Sequence, residues 1–235
     1  MKMISRLFAV MVVLALAISI AGATQVSQTK VFSGIPDYER TLTFAKMNFT
    51  CPNCVLNWIK VDLVLNVTGG QYILDNDAET PASGTFNFGG QAFIVGSDVP
   101  MIDASFNPVV GNVQAGHSGV FNLTANVGDG PGDYSPDPPD GMIYIGGAET
   151  DSASGFINSV VFAQYLGIGT FDVKVGTSQW ANYAGASGIE YAANPVSADG
   201  SLTITYDYTC VPEPSSIVAL LGGVGMLGLI RRRKA

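Results

Sequence analysis

VLNWIKVDLVLNVTGG, residues 55–70, decides the fold. Val55, Ile59, Val61, Leu63, Leu65 and Val67 share one parity, Lys60, Asp62 and Asn66 take the other, and Val64 breaks the pattern. Successive side chains of an extended chain point to opposite faces, so this run buries one face and wets the other. Gly69-Gly70 then ends it with a turn. The same alternation recurs at Phe121, Leu123, Ala125 and Val127, at Phe171, Val173 and Val175, and at Leu202, Ile204, Tyr206 and Tyr208. Weaker strand signals cover Gln25–Phe32, Thr41–Phe49, Thr85–Val95 and Ser159–Leu166. Further turn signals stand at Gly89-Gly90, Asp129-Gly130, Gly146-Gly147 and Asp199-Gly200. The body has no helix-length 3.6 period, no clean repeat and no linker. The expected fold is all-β: one antiparallel β-sandwich, jelly-roll-like, over residues 24–210.

Composition agrees. The 235 residues include 28 Gly and 12 Pro, and only 13% are charged. The whole-chain charge of −8 conceals a more acidic body. Between Thr24 and Cys210 five basic side chains (Lys30, Arg40, Lys46, Lys60 and Lys174) face 18 acidic ones, a formal charge of −13. Such a surface repels nucleic acid and anionic lipid and suits an exported, soluble domain.

The two ends carry address signals. Lys2 and Arg6 precede the uncharged apolar run Leu7–Ile20 and the small residues Ala21-Gly22-Ala23. This order predicts a secretory signal peptide, a helix over residues 1–23, cleaved after Ala23. At the other end Val211-Pro212-Glu213-Pro214 leads into an uncharged stretch, Ser215–Ile230, and then Arg231, Arg232, Arg233 and Lys234. The stretch predicts a single transmembrane helix, short and rich in glycine. The basic cluster stops transfer and keeps the tip, 231–235, in the cytoplasm. The two prolines hold the strip beside the bilayer extended, where a membrane-embedded protease can grip it.

This three-part tail, 211–235, resembles the PEP-CTERM sorting signal of Gram-negative bacteria, with Pro212, Glu213 and Pro214 as its motif. The resemblance implies an exosortase-type protease that recognises the motif, cuts near it and releases or re-anchors the body. The same tail has been labelled an ice-binding protein C-terminal domain, although nothing in this sequence reads as an ice-binding surface. The body resembles a choice-of-anchor E domain. That resemblance rests on Thr41-Leu42-Thr43-Phe44, the Val-Leu strand ending near Val67, Tyr165-Leu166-Gly167-Ile168-Gly169-Thr170, and the closing strand Thr203–Tyr208. It implies a fold and a sorting route, not a chemistry.

Few residues suggest chemistry. Cys51 and Cys54 form a CxxC pair without the βαβ setting of a redox site or two further ligands for zinc. A local Cys51–Cys54 disulfide in an oxidising compartment is the expectation. Cys210 is left to pair with Cys51, with Cys54 or with another chain, or to stay free. His117, the single histidine, lies in the loop-like AGHSG, and no GxSxG elbow accompanies it. Asp129, Asp133, Asp137 and Asp140 are spaced by Gly and Pro in DGPGDYSPDPPD, a flexible oxygen-rich segment suited to Ca²⁺ but unlike an EF-hand. The expected function is therefore an exported, non-enzymatic component of the cell envelope or extracellular matrix, first anchored in the inner membrane. No cofactor is expected apart from that Ca²⁺, and extracellular polysaccharide is the candidate partner. A Ca²⁺- or carbohydrate-binding module and a carboxylate-based hydrolase are the alternatives.

Overall fold

The computed structural model describes residues 23–49, 53–128 and 134–210. The alternating run becomes strand β3, Cys54–Thr68, in which Ile59, Val61, Leu63, Leu65 and Val67 are fully buried. Burying each such side chain is worth about 1.5–3 kcal/mol, which holds the strand in register. Around it forms a four-stranded sheet in the order β1 (Ala23–Gly34), β11 (Ser197–Cys210), β3 and β8 (Ala148–Phe156). A second four-stranded sheet runs β2 (Tyr38–Ala45), β9 (Thr170–Gly185), β5 (Ala82–Ser97), β6 (Val113–Leu123). A third, of three strands, runs β10 (Ile189–Asn194), β4 (Gln71–Asn76), β7 (Gly141–Ile145). All neighbouring strands pair antiparallel.

The inner faces meet in one core. Leu202, Ile204 and Tyr206 of β11 join the buried face of β3, and Phe171, Val173 and Val175 of β9 join Phe86 and Phe88 of β5 in the same cluster. Tyr72 of β4 stacks on Phe86 and Phe88 at 5.1 and 5.7 Å between ring centres, so the third sheet covers that part of β5. Gly69 and Gly70 make the turn from β3 to β4 with φ of 68° and 79°, a conformation glycine adopts without steric cost.

Several expectations change. Val55 is 63% exposed although it shares parity with the buried face of β3. The ladder pairs Trp58 with Asp207 and Leu56 with Tyr208, so Asn57 is an extra residue, and this bulge turns Val55 outward. β6 ends at Leu123, and Val127 is 65% exposed. Ser159–Tyr165 is a short 3-10 helix, not a strand. Asn158 caps it by accepting from the Val160 N–H, and Val161 and Tyr165, four apart, both face the core. Gly89-Gly90 and Asp199-Gly200 lie inside β5 and β11 and make no turns. Gly200 is there because the Phe32 ring occupies the space of a side chain. Among the described residues no helix is long and apolar enough to cross a membrane. Residues 1–22 of the expected leader and the expected span 215–230 lie outside the described residues.

Candidate functional site

The body joins its tail at one corner. β1 and β11 pair from Ala23 opposite Thr209 to Gly34 opposite Ala198, so the chain enters and leaves the domain side by side. Thr24, the residue after the expected cleavage point, pairs with Tyr208. One rung further, Cys210 lies opposite Cys54, and the two form a disulfide with Cα atoms 4.0 Å apart. This replaces the expected Cys51–Cys54 bridge. Closing a CxxC needs a turn, whereas Cys54 is already extended at the start of β3 and its cross-strand neighbour is Cys210. Cys51 lies outside the described residues, as do Pro212, Glu213, Pro214, Arg231, Arg232, Arg233 and Lys234. The bridge therefore sits on the last described residue before the sorting segment.

A second feature is acidic. Of the proposed Ca²⁺ ligands, Asp129 and Asp133 lie outside the described residues. Asp137 is exposed, whereas Asp140 is 1% exposed and its Oδ2 accepts from the Val127 N–H at 2.7 Å. Asp140 thus ties the two ends of the segment between β6 and β7 to each other, and the segment does not present Asp137 and Asp140 as one site. The carboxylates that do converge are Asp75, Asp77 and Glu190, whose oxygens lie within 4.8 Å of one another. Strand register brings Glu190 opposite Asp75. Asp75 is 1% exposed and accepts from the Ser135 N–H at 3.2 Å, and Asp77 accepts from Asn126 Nδ2 at 3.4 Å. Nothing in the sequence separates these three from the other acids, because the pairing of β4 with β10 is a long-range event.

His117 was expected in a loop. It lies within β6, 6% exposed, with its ring centre 5.2 Å from Phe88 and 6.1 Å from Tyr144. Its Nδ1 is 3.9 Å from Glu149 Oε1. A Cβ at Gly146 would stand 2.8 Å from His117 Cδ2, so the Gly146-Gly147 turn closes over the imidazole. No serine or cysteine in hydrogen-bond contact with the ring appears among the described residues. Burial pushes the phenols of Tyr72, Tyr165 and Tyr206 well above the ordinary tyrosine range. The Tyr165 hydroxyl donates to the Pro100 carbonyl at 2.9 Å.

The PEP-CTERM protein-sorting motif matches residues 211–234. The motif implies export and exosortase-dependent processing. The match covers the tail alone, and the resemblance of the body to a choice-of-anchor E domain has no support. No curated protein matches the chain. Among solved structures, the infectious bursal disease virus Gx strain is 9% identical, with 80% of this chain and 43% of that one aligned at a TM-score of 0.16. The T=1 particles derived from the same virus are 10% identical, with 84% and 42% covered at a TM-score of 0.15. The chain spans less than half the length of either, and likenesses this weak carry no argument.

Proposed function

We propose that the protein is an exported, non-enzymatic component of the cell envelope or extracellular matrix. Its leader, 1–23, is removed, residues 24–210 form the delivered domain, and 211–235 serves as a transient anchor. The observation that carries this reading is the sorting motif over 211–234. The fold supports it. With β4, β7 and β10 set aside, the eight remaining strands order as first, eighth, third, sixth and second, seventh, fourth, fifth. This is the strand order of a two-sheet jelly roll. The test is to express wild type and Glu213→Ala in an exosortase-bearing Gram-negative host and to compare precursor with processed body by mass. Wild type should be shortened near residue 211. Glu213→Ala should insert normally, because the apolar run and Arg231–Lys234 are intact, and accumulate as precursor. Equal processing of the two rejects the role of the acid.

A second reading is favoured by Asp75, Asp77 and Glu190. Three carboxylates drawn within 4.8 Å repel one another, and a hard cation such as Ca²⁺ would relieve that. Ca²⁺ should then raise the melting temperature of wild type and not that of Asp77→Asn. An identical melting temperature with Ca²⁺ and with chelator rejects it.

A further inference from the structure

On β5 the side chains of Phe86, Phe88 and Ala92 enter the core, which leaves Asn87, Gly89 and Gln91 on the opposite face, Asn87 exposed, Gln91 half-buried and Gly89 covered. Register sets these in three rows across the sheet: Gln114–Gln91–Ser178, Gly116–Gly89–Trp180 and Ser118–Asn87–Asn182. The middle row is built around one large ring. A Cβ at Gly89 would stand 2.9 Å from Trp180 Cζ2, and one at Gly116 2.7 Å from the same atom. The indole therefore lies down across the backbones of β5 and β6, in a trough that only glycine leaves open. The depression around it has a volume of about 490 Å³ and is lined by Asn87, Gln91, Gln114, Trp180 and Asn182.

We infer that this face binds a neutral polysaccharide chain, with Trp180 as the stacking ring and the flanking carboxamides as hydroxyl ligands. Four features carry the inference. First, the lining has no charged side chain, although the body holds 18 acids. Neither a cation nor an anion finds a counter-charge there. Second, the amides are braced against one another. Gln91 Nε2 donates to Ser178 Oγ at 2.7 Å, Gln114 Nε2 to Gln91 Oε1 at 3.1 Å, and Asn182 Nδ2 to Asn87 Oδ1 at 3.5 Å. Among the described residues no hydrogen bond engages Asn87 Nδ2, Gln114 Oε1 or Asn182 Oδ1. Donors and acceptors are thus both on offer, as a hydroxyl requires. Third, Trp180 Nε1 is enclosed without an acceptor. A buried N–H left unpaired costs about 1–3 kcal/mol. A phenyl ring would fill the trough without that cost, so space-filling does not explain the indole, whereas a wider flat face for a sugar ring does. Fourth, the bed is shallow and lies along the strands, which fits the side of a polymer better than an enclosed small molecule.

The inference gives the matrix component a ligand class and rests on that reading only for where the polymer would be met. Its test uses full-length protein in a detergent without a sugar headgroup. Cellulose, chitin and cross-linked dextran serve as neutral probes and alginate as an acidic one. Wild type should be retained on at least one neutral polymer, and retention should persist in high salt. Trp180→Ala should bind at least about tenfold more weakly, in keeping with loss of an aromatic anchor. Should Trp180→Ala not fold, Asn87→Ala combined with Asn182→Ala, both on exposed positions, gives the reading instead: severalfold weaker retention is expected. In Trp58→Phe, where Trp180 is the remaining tryptophan, its emission should change on adding a soluble fragment of the retained polymer. Retention on none of the neutral polymers overturns the inference. So does salt-sensitive preference for alginate, or wild-type binding by the variants. None of these outcomes touches precursor processing, so the two readings fail separately.

Discussion

Three cysteines allow three internal pairings, and strand register selects one of them. Cys54 and Cys210 face each other because β3 and β11 stay paired to their ends, with a sequence separation of 156. No spacing rule contains that information. Mass mapping of alkylated, unreduced protein should recover a Cys54–Cys210 peptide and an alkylated Cys51. A Cys51–Cys54 peptide would reject the assignment. Cys210→Ser should lower stability by about 2–5 kcal/mol in urea denaturation, because the bridge constrains a long loop in the unfolded chain. Glycines were equally ambiguous in sequence. Gly69-Gly70 is a turn, but Gly89 makes room for Trp180 and Gly200 for Phe32. A glycine demanded by a close approach looks like one demanded by backbone dihedrals until the neighbour is known.

Strands were legible in proportion to how one-sidedly they are buried. The cores of β3, β9 and β11 showed in their alternation because one face is fully enclosed. β8, AETDSASGF, did not, since it is a polar edge strand with most residues exposed. β4, β7 and β10 are short, and their pairing is set by distant partners. Asp75, Asp77 and Glu190 likewise leave no local trace in the sequence, because they converge through the β4–β10 ladder, not through one segment. The bulge in β3 offers a sharp check on register. Leu63→Ala should cost about 2–5 kcal/mol because it empties a fully enclosed site. Truncating Val55 to Ala should change stability by no more than about 0.5 kcal/mol, although both residues share one parity in the sequence. Equal losses in urea denaturation would place Val55 in the core and remove the bulge.

The whole molecule joins a strongly acidic surface to a core holding three enclosed phenols. Tyr72, Tyr165 and Tyr206 ionise less readily when folded, chiefly because burial disfavours the phenolate. A group whose folded pKa is raised stabilises the fold fully below its unfolded pKa. That stabilisation is lost as pH rises through the folded value. The melting temperature should therefore not respond to these tyrosines below about pH 10, the value for free tyrosine, and should fall steeply above it. Replacing Tyr206 with Phe should soften that fall; an unchanged alkaline limb would show that these phenols do not govern it. The disulfide at the corner of the domain has a mechanical meaning as well. A body held to a surface by residues beyond 210 takes the drag of moving fluid at Cys210, the end of β11. Hydrogen bonds alone would yield there one rung at a time, like a zip opened from its end. The covalent link to Cys54 sends tension past that weak edge into β3, which lies inside the sheet between β11 and β8. For as long as the body is held through residues beyond 210, reduction of the bridge would turn the same corner into its point of tearing.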